Sequence, residues 1–259
     1  MRQDYNYLPW ISDQALEEAV LKVYLAMKNA LADTTMSDLQ SQIIDPFALV
    51  LETSATNLSV EQWIQAEAQR QAQKSWMNQV GYFHQEILGA VDGWTDLLAG
   101  DDSEIDFKKD DDSIYAEIKN KHNTMNSSSE KETRHKLERL VEAKPLATAY
   151  LVQIIRIRKH PYDELWTLKG FETHPRIRKI SGELFYAKVT GYETALHDLY
   201  HTIPDVMKKI VEEHEELSLG KTSAMTELVE QSPNETNNEF LRFFIDFAYR
   251  NYNKLASDD

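Results

Sequence analysis

Hydrophobic positions in the first third of the chain recur at steps of three and four. Leu16, Ala19, Val20, Val23, Tyr24 and Met27 form one stripe, which predicts an amphipathic helix over residues 12–32. A second helix is expected after Met36, with Ser37 as its cap. Ser59 opens a longer one, in which Glu61 stands two positions beyond the cap, near the helix's positive end. Helical texture continues to about residue 98, in two pieces parted near Gly81. At Gly100 the period changes. Residues 104–108 and 113–121 read as β pieces joined by a charged turn at 109–112. NSSSEKETRHKLERLVEAKP then reads as a helix capped by Ser127 or Ser128 and stopped before Pro145. Residues 147–158 are rich in β-branched and apolar side chains and predict a buried strand. Shorter strands are expected over 163–169 and 183–189. Helix returns over 191–216 and 237–255, with a polar, loop-containing segment between.

The middle of the chain thus runs helix, strand, strand, helix, strand, which is an α/β unit with helix-rich extensions at both ends. The expected division is a helical region at 1–80, a core at 81–190 and a helical region at 191–259, packed as one compact unit.

Composition narrows the class. The chain has 259 residues, enough for one large domain or two small ones. Its 8 glycines are few for this length, which fits a helix-rich fold. Cysteine is absent, so disulfides, thiolate nucleophiles and Cys-ligated metal centres are excluded and a reducing cytosol is expected. The opening MRQDYNYLPW carries no signal-peptide pattern, and no apolar run approaches the ~20 residues of a membrane helix. The formal net charge of −15 argues against a non-specific nucleic-acid coat or a polybasic membrane binder. Taken in pieces it reads differently. Residues 119–188 hold 15 basic and 8 acidic side chains, against 7 and 21 before them and 6 and 14 after. One cationic block sits in an anionic protein.

That block begins at the chain's most chemical feature, Asp106 followed after ten residues by Glu117-Ile118-Lys119. Strand side chains alternate faces, so Glu117 and Lys119 share one and Ile118 takes the other. A hairpin can bring Asp106 beside Glu117. Two adjacent carboxylates repel unless a cation lies between them, and such oxygen ligands suit Mg²⁺. A lysine beside them can position a metal-bound water or neutralise charge growing on a phosphoryl oxygen. This is what a metal-dependent phosphodiester hydrolase needs. The bland alternative is a solvated hairpin face, and Asp110, Asp111 and Asp112 are rival acids placed in the turn.

KNKHNTMNSSS, directly after Glu117-Ile118, resembles the signature of a family of type II restriction endonucleases that cut GGNCC-type sites, the Eco-forty-seven-two family of the PD-(D/E)xK nuclease superfamily. GYFHQEILGAVDGW is similar to that family's helix before the active-site hairpin, and FYAKVTGYETALHDLYHTIPDV to the region after its core. The likeness covers roughly residues 81–206. It implies a restriction-endonuclease-like core, a mixed central sheet flanked by helices. It also carries the catalytic roles onto Asp106, Glu117 and Lys119, although Ile105 replaces the namesake proline. Glu86 is a further candidate, on the helix before the hairpin, where many such nucleases place a glutamate beside the metal; the alternative is an exposed helix glutamate.

Lys121, His122, Asn123, Thr124, Asn126 and Ser127 are then candidates for DNA contact, by charge neutralisation of phosphates or hydrogen bonds to phosphates and base edges, the alternative being a polar strand-to-helix turn with Asn and Ser caps. Arg156, Arg158 and Lys159 form one further basic cluster, with His160 at its exit. Arg176, Arg178 and Lys179 form another, with His174. Either could read guanines, and either could be a basic surface paired with acidic helices. His197 and His201 have zinc-ligand spacing but lack the glutamate of HExxH and a third ligand, so zinc is not expected. Phe240, Phe243, Phe244, Phe247 and Tyr249 have the spacing of a core or dimer face.

The resemblance implies a Mg²⁺-dependent enzyme cutting double-stranded DNA at a short palindrome and leaving 5′-phosphates. It further implies a homodimer, a cognate DNA methyltransferase protecting the host, and a place in the bacterial cytoplasm. The rival readings are a non-specific or structure-specific repair nuclease of the same superfamily and a non-catalytic DNA-binding protein.

Overall fold

The computed structural model describes residues 6–32, 45–56, 58–97, 105–157 and 160–214. The chain divides into two compact units, Met1–Tyr24 with Asn78–Glu215, and Leu25–Met77 with Glu216–Asp259. Described elements are helices α1 (Asp13–Ala32), α2 (Pro46–Thr56) and α3 (Val60–Gly89), strands β1 (Trp94–Asp96), β2 (Phe107–Lys109) and β3 (Ile114–Lys121), and helix α4 (Ser127–Ala143). Strands β4 (Thr148–Ile155), β5 (Asp163–Leu165) and β6 (Ile177–Ser181) follow, then helices α5 (Gly182–Thr190) and α6 (Ala195–Glu213).

The sheet has 6 strands in the order β1-β2-β3-β4-β6-β5. Its central pairs β3–β4 and β4–β6 are parallel, and the pairs toward each edge are antiparallel. A parallel β3–β4 pair needs a crossover, and α4 supplies it. Its Leu137, Leu140 and Val141 pack on Tyr115, Ala149, Leu151 and Ile177, which share one face of the sheet. The opposite face presents Phe107 and Tyr150 to Phe185 of α5, and Trp94 stacks on Phe107 with ring centroids 5.2 Å apart.

The expected hairpin is present, with Phe107 opposite Ala116. The first helix buries Leu16, Ala19, Val20 and Tyr24. Ser59 and Gln62 cap α3 reciprocally: the Ser59 N–H donates to Gln62 Oε1 at 2.9 Å and the Gln62 N–H to Ser59 Oγ at 3.2 Å. In the second unit, Trp63 Nε1 donates to Glu52 at 2.7 Å.

Several expectations are corrected. Helix α3 runs unbroken through Gly81 and ends at Gly89, and residues 94–96 form a strand. Asn126 caps α4 in place of Ser127 or Ser128, its side chain accepting from the N–H groups of Ser128 and Ser129. Residues 183–189 are helical. Their aromatic and β-branched content imitates a strand, but the buried set Phe185, Tyr186 and Val189 has helical spacing, and Gly191 closes the helix at φ 78°. The strand lies just before, in the basic segment 177–181. Gly182 is required at that junction, because a Cβ there would fall 2.6 Å from the carbonyl oxygen of Ile154. The helices expected after Met36 and over 237–255 fall wholly or partly outside the described residues, as does the aromatic run from Phe240.

His84 is fully buried on α3, with Nδ1 2.8 Å from the Tyr186 hydroxyl. Burial holds its pKa down at about 4. The unfolded chain takes up that proton near pH 6.5, so protonation favours unfolding across the interval between. Stability is expected to fall by about 3 kcal/mol from this group as pH drops from 7 to 4. Urea denaturation at a series of pH values checks this. A His84→Gln variant should lose that part of the pH slope, and an unchanged slope would show that His84 is not its source.

Candidate active site

Strand β3 carries Glu117 and Lys119 on the face covered by α4. The hairpin register sets Asp106, just before β2, opposite Glu117. Asp106 Oδ2 accepts the main-chain N–H of Ile118 at 2.8 Å, which fixes its carboxylate against β3. Lys119 Nζ lies 2.7 Å from Glu117 Oε1. The Glu117 side chain is only 5% exposed, so these charges interact in a poorly solvated place. Burial, then the neighbouring charge of Glu117, pushes the Asp106 pKa up to about 6, against the opposing pull of the Ile118 N–H and the two nearby lysines. Burial alone would lower the Lys119 pKa, yet Glu117 and Asp106 more than compensate and raise it above the usual lysine value. Lys119 is therefore a cation and a hydrogen-bond donor at neutral pH.

One group at the site was not found from sequence. Lys136 of α4 reaches down to Glu117 Oε2 at 2.8 Å. Its signal was present but indirect: Leu137, Leu140 and Val141 mark the buried stripe of α4, and Lys136 borders it. Arg134, also missed, is fully buried behind the site. It donates to the carbonyls of Trp166 and Glu172, each at 2.7 Å, and to Glu138 Oε1 at 3.1 Å.

The turn acids are occupied away from the site. Asp111 pairs with Lys109 and accepts from Ser113, which holds its pKa at about 2. Asp112 is held by Lys108, Tyr115 and Lys144, and its pKa is well below the ordinary carboxylate value. Glu86 pairs with Lys22 at 3.2 Å and lies close enough to Asp96 to help burial raise that carboxyl's pKa. Among the described residues, no group of three or more His, Asp or Glu side chains is arranged around a metal position. Asp106 and Glu117 still fit a divalent cation by chemistry, being two carboxylates forced together and largely shut off from water.

Strands β3 and β4 end side by side, with Lys121 paired to Ile155 and the His122 N–H donating to the Ile155 carbonyl at 3.0 Å. Lys121, His122, Asn123, Thr124, Asn126 and Ser127 therefore lie at the same edge as Arg156. Asn126 is used as the α4 cap, the Thr124 hydroxyl donates to the Lys121 carbonyl, and Arg156 pairs with Glu183 at 2.6 Å. Arg158 and Lys159 lie outside the described residues. Arg176 and Arg178 lie toward the opposite end of the parallel strands, level with Thr148 and Tyr150. Arg176 donates to the carbonyls of Val141, Lys144 and Ala147, fastening the end of α4. Arg178 is bound to Asp163 at 2.6 Å. His197 and His201 lie side by side on α6, their rings tilted by 45° with centroids 4.3 Å apart, beside Asp198.

The family model described as Eco47II restriction endonuclease matches residues 8–212. The type II restriction enzyme Sau96I of Staphylococcus aureus is 33% identical over 245 residues, covering 91% of this chain and 92% of that one. The type II restriction enzyme Eco47II of Escherichia coli is 34% identical over 218 residues, covering 80% of this chain and 90% of that one. The mixed sheet with flanking helices is accordingly the expected PD-(D/E)xK core. A match across most of the chain, centred on a hairpin that joins two carboxylates and a lysine, leaves one conclusion: the chain belongs to the Eco47II restriction endonuclease family, among the type II site-specific deoxyribonucleases.

Proposed function

We propose that this enzyme hydrolyses double-stranded DNA at a short palindromic GGNCC-like site, with Mg²⁺ as cofactor, leaving 5′-phosphates. The observation that carries the reading is the juxtaposition of Asp106, Glu117 and Lys119 on one hairpin face, with Asp106 pinned by the Ile118 N–H and Glu117 touching Lys119. Asp106 and Glu117 would hold the ion, while Glu86, the third carboxylate expected from the sequence, is paired with Lys22. When bound, the ion supplies charge neutralisation at the phosphate and a more acidic water.

The chain's own groups do the rest. Lys119, a cation by its raised pKa, donates from Nζ to the attacking water or a non-bridging phosphate oxygen and stabilises the negative charge that grows there. Water attacks phosphorus in line, the bond to the 3′ oxygen breaks, and that oxygen leaves as the hydroxyl.

DNA contact is assigned first to the edge where β3 and β4 end. Lys121, His122, Asn123 and Thr124 lie there with Arg156, Asn126 and Ser127, and the chain continues into Arg158 and Lys159. Arg176 and Arg178, toward the far end, would act mainly by supporting α4 and β5. A palindrome calls for two copies related by a two-fold axis, each reading one half-site, so a homodimer follows from this reading. A methyltransferase of matching specificity would protect the host's own DNA in the bacterial cytoplasm. No described helix is long and apolar enough to cross a membrane.

Digestion of plasmid DNA with and without Mg²⁺ tests the proposal. Discrete bands that vanish in EDTA are expected. A smear would replace it with a non-specific nuclease. DNA retained on a gel with no cleavage under any divalent metal would leave only a DNA-binding protein.

A further inference from the structure

Glu117 is held by two ammonium groups from two elements. Lys119 Nζ is 2.7 Å from Oε1, and Lys136 Nζ, arriving from α4, is 2.8 Å from Oε2. Two carboxylates and two lysines already balance one another. A divalent ion brought to the same oxygens adds two positive charges in a poorly solvated place, so a cation on a ligand atom must leave. Lys119 stays, since the proposed reaction needs its ammonium beside Glu117. Lys136 is 20% exposed and borders a cleft of about 830 Å³ whose lining includes Glu132, Thr133 and Arg139. Glu132 stands one helical turn back, at the spacing where a carboxylate and a lysine pair on a helix surface.

We propose that Lys136 is a positioning residue that holds Glu117 Oε2 while the metal is absent and competes with the metal for that atom. This deepens the reading of Asp106 and Glu117 as metal ligands and rests on it. Displaced, the ammonium swings along the cleft toward Glu132. The consequence is weak metal binding by the DNA-free enzyme, because entry of the ion costs an existing ion pair.

The test is Mn²⁺ binding to the full-length, DNA-free protein, followed by the electron paramagnetic resonance of the free ion. Lys136→Met keeps the aliphatic stem and removes the competing charge. It is expected to bind Mn²⁺ about tenfold tighter than the unmodified enzyme at equal ionic strength. Lys136→Arg keeps the charge and is expected to bind as the parent does. Glu117→Gln is expected to lose binding. Loss in Glu117→Gln together with unchanged or weaker binding in Lys136→Met overturns the role of Lys136 and leaves the ligand assignment standing. Parent-like binding in Glu117→Gln overturns the ligand assignment and the proposal with it. Thermal melting of each variant confirms that it is folded, and Lys136→Gln repeats the comparison should Lys136→Met melt at the assay temperature. A purely structural lysine would not tighten metal binding when removed.

Discussion

Lys119→Ala is expected to reduce the rate of DNA cleavage by about a thousandfold or more while leaving sequence-specific binding within a few fold of the parent. Binding survives because the proposed contact edge, Lys121 to Ser127 with Arg156, is untouched. Glu117 also keeps an ammonium partner in Lys136, so the variant should fold. Catalysis fails because the ammonium at Glu117 Oε1 is gone and Lys136 is engaged at the other oxygen. Single-turnover cleavage measured beside a gel-shift assay separates the two effects. Lys119→Arg should recover only part of the loss, since a planar guanidinium cannot occupy the site of a compact ammonium. A Lys119→Ala enzyme that cuts like the parent would show that the reacting phosphate lies elsewhere.

Arg134→Met carries the largest expected loss of stability, about 3–5 kcal/mol. The guanidinium has no solvent exposure, and three groups depend on it: the carbonyls of Trp166 and Glu172 and the carboxylate of Glu138. It also lies over the rings of Trp166 and Phe171, at 5.8 Å from each centroid. Methionine fills much of the volume but donates to none of the three. The buried Trp166 carbonyl and the less buried Glu172 carbonyl would lose their donors, and for the first this costs more than the bond itself contributes. Because Arg134 ties α4 to the segment after β5, its loss should also loosen the helix that places Lys136 at Glu117. Urea midpoints compare the variant with the parent. A shift equivalent to less than about 1 kcal/mol would mean that the pocket rearranges to satisfy those carbonyls.

The hairpin and the juxtaposition of Asp106, Glu117 and Lys119 were legible in the sequence because strand alternation is a local rule. Ile118 between Glu117 and Lys119 divides the faces, and ten residues from Asp106 leave room for one tight turn. The long amphipathic helix at 127–143 was legible for a similar reason, since its stripe repeats over several turns. What stayed hidden depends on contacts between distant residues. The strand at 177–181 carries Arg178 and Lys179, whose charges obscured a segment buried at Ile177, Ile180 and Ser181. Arg178 is tolerated there by Asp163, a partner fifteen residues earlier. Arg176 resembled a base-reading residue but is taken up by the carbonyls at the end of α4, which sequence spacing does not reveal. Lys136 and Arg134 sat on a helix whose surface pattern looked ordinary. Their roles appear only when β3 and the segment after β5 are laid against it. The helix over 183–189 was mistaken because its aromatic content spoke louder than its spacing.

Sequencing the ends produced from a plasmid of known sequence tests the central claim most directly, since it reports site, stagger and chemistry of the cut together. Cleavage only at GGNCC-like palindromes, symmetric on the two strands, with ligatable 5′-phosphate ends and none in EDTA, is the expected result. Ends scattered over unrelated sequences, or unchanged by removal of the metal, would contradict it.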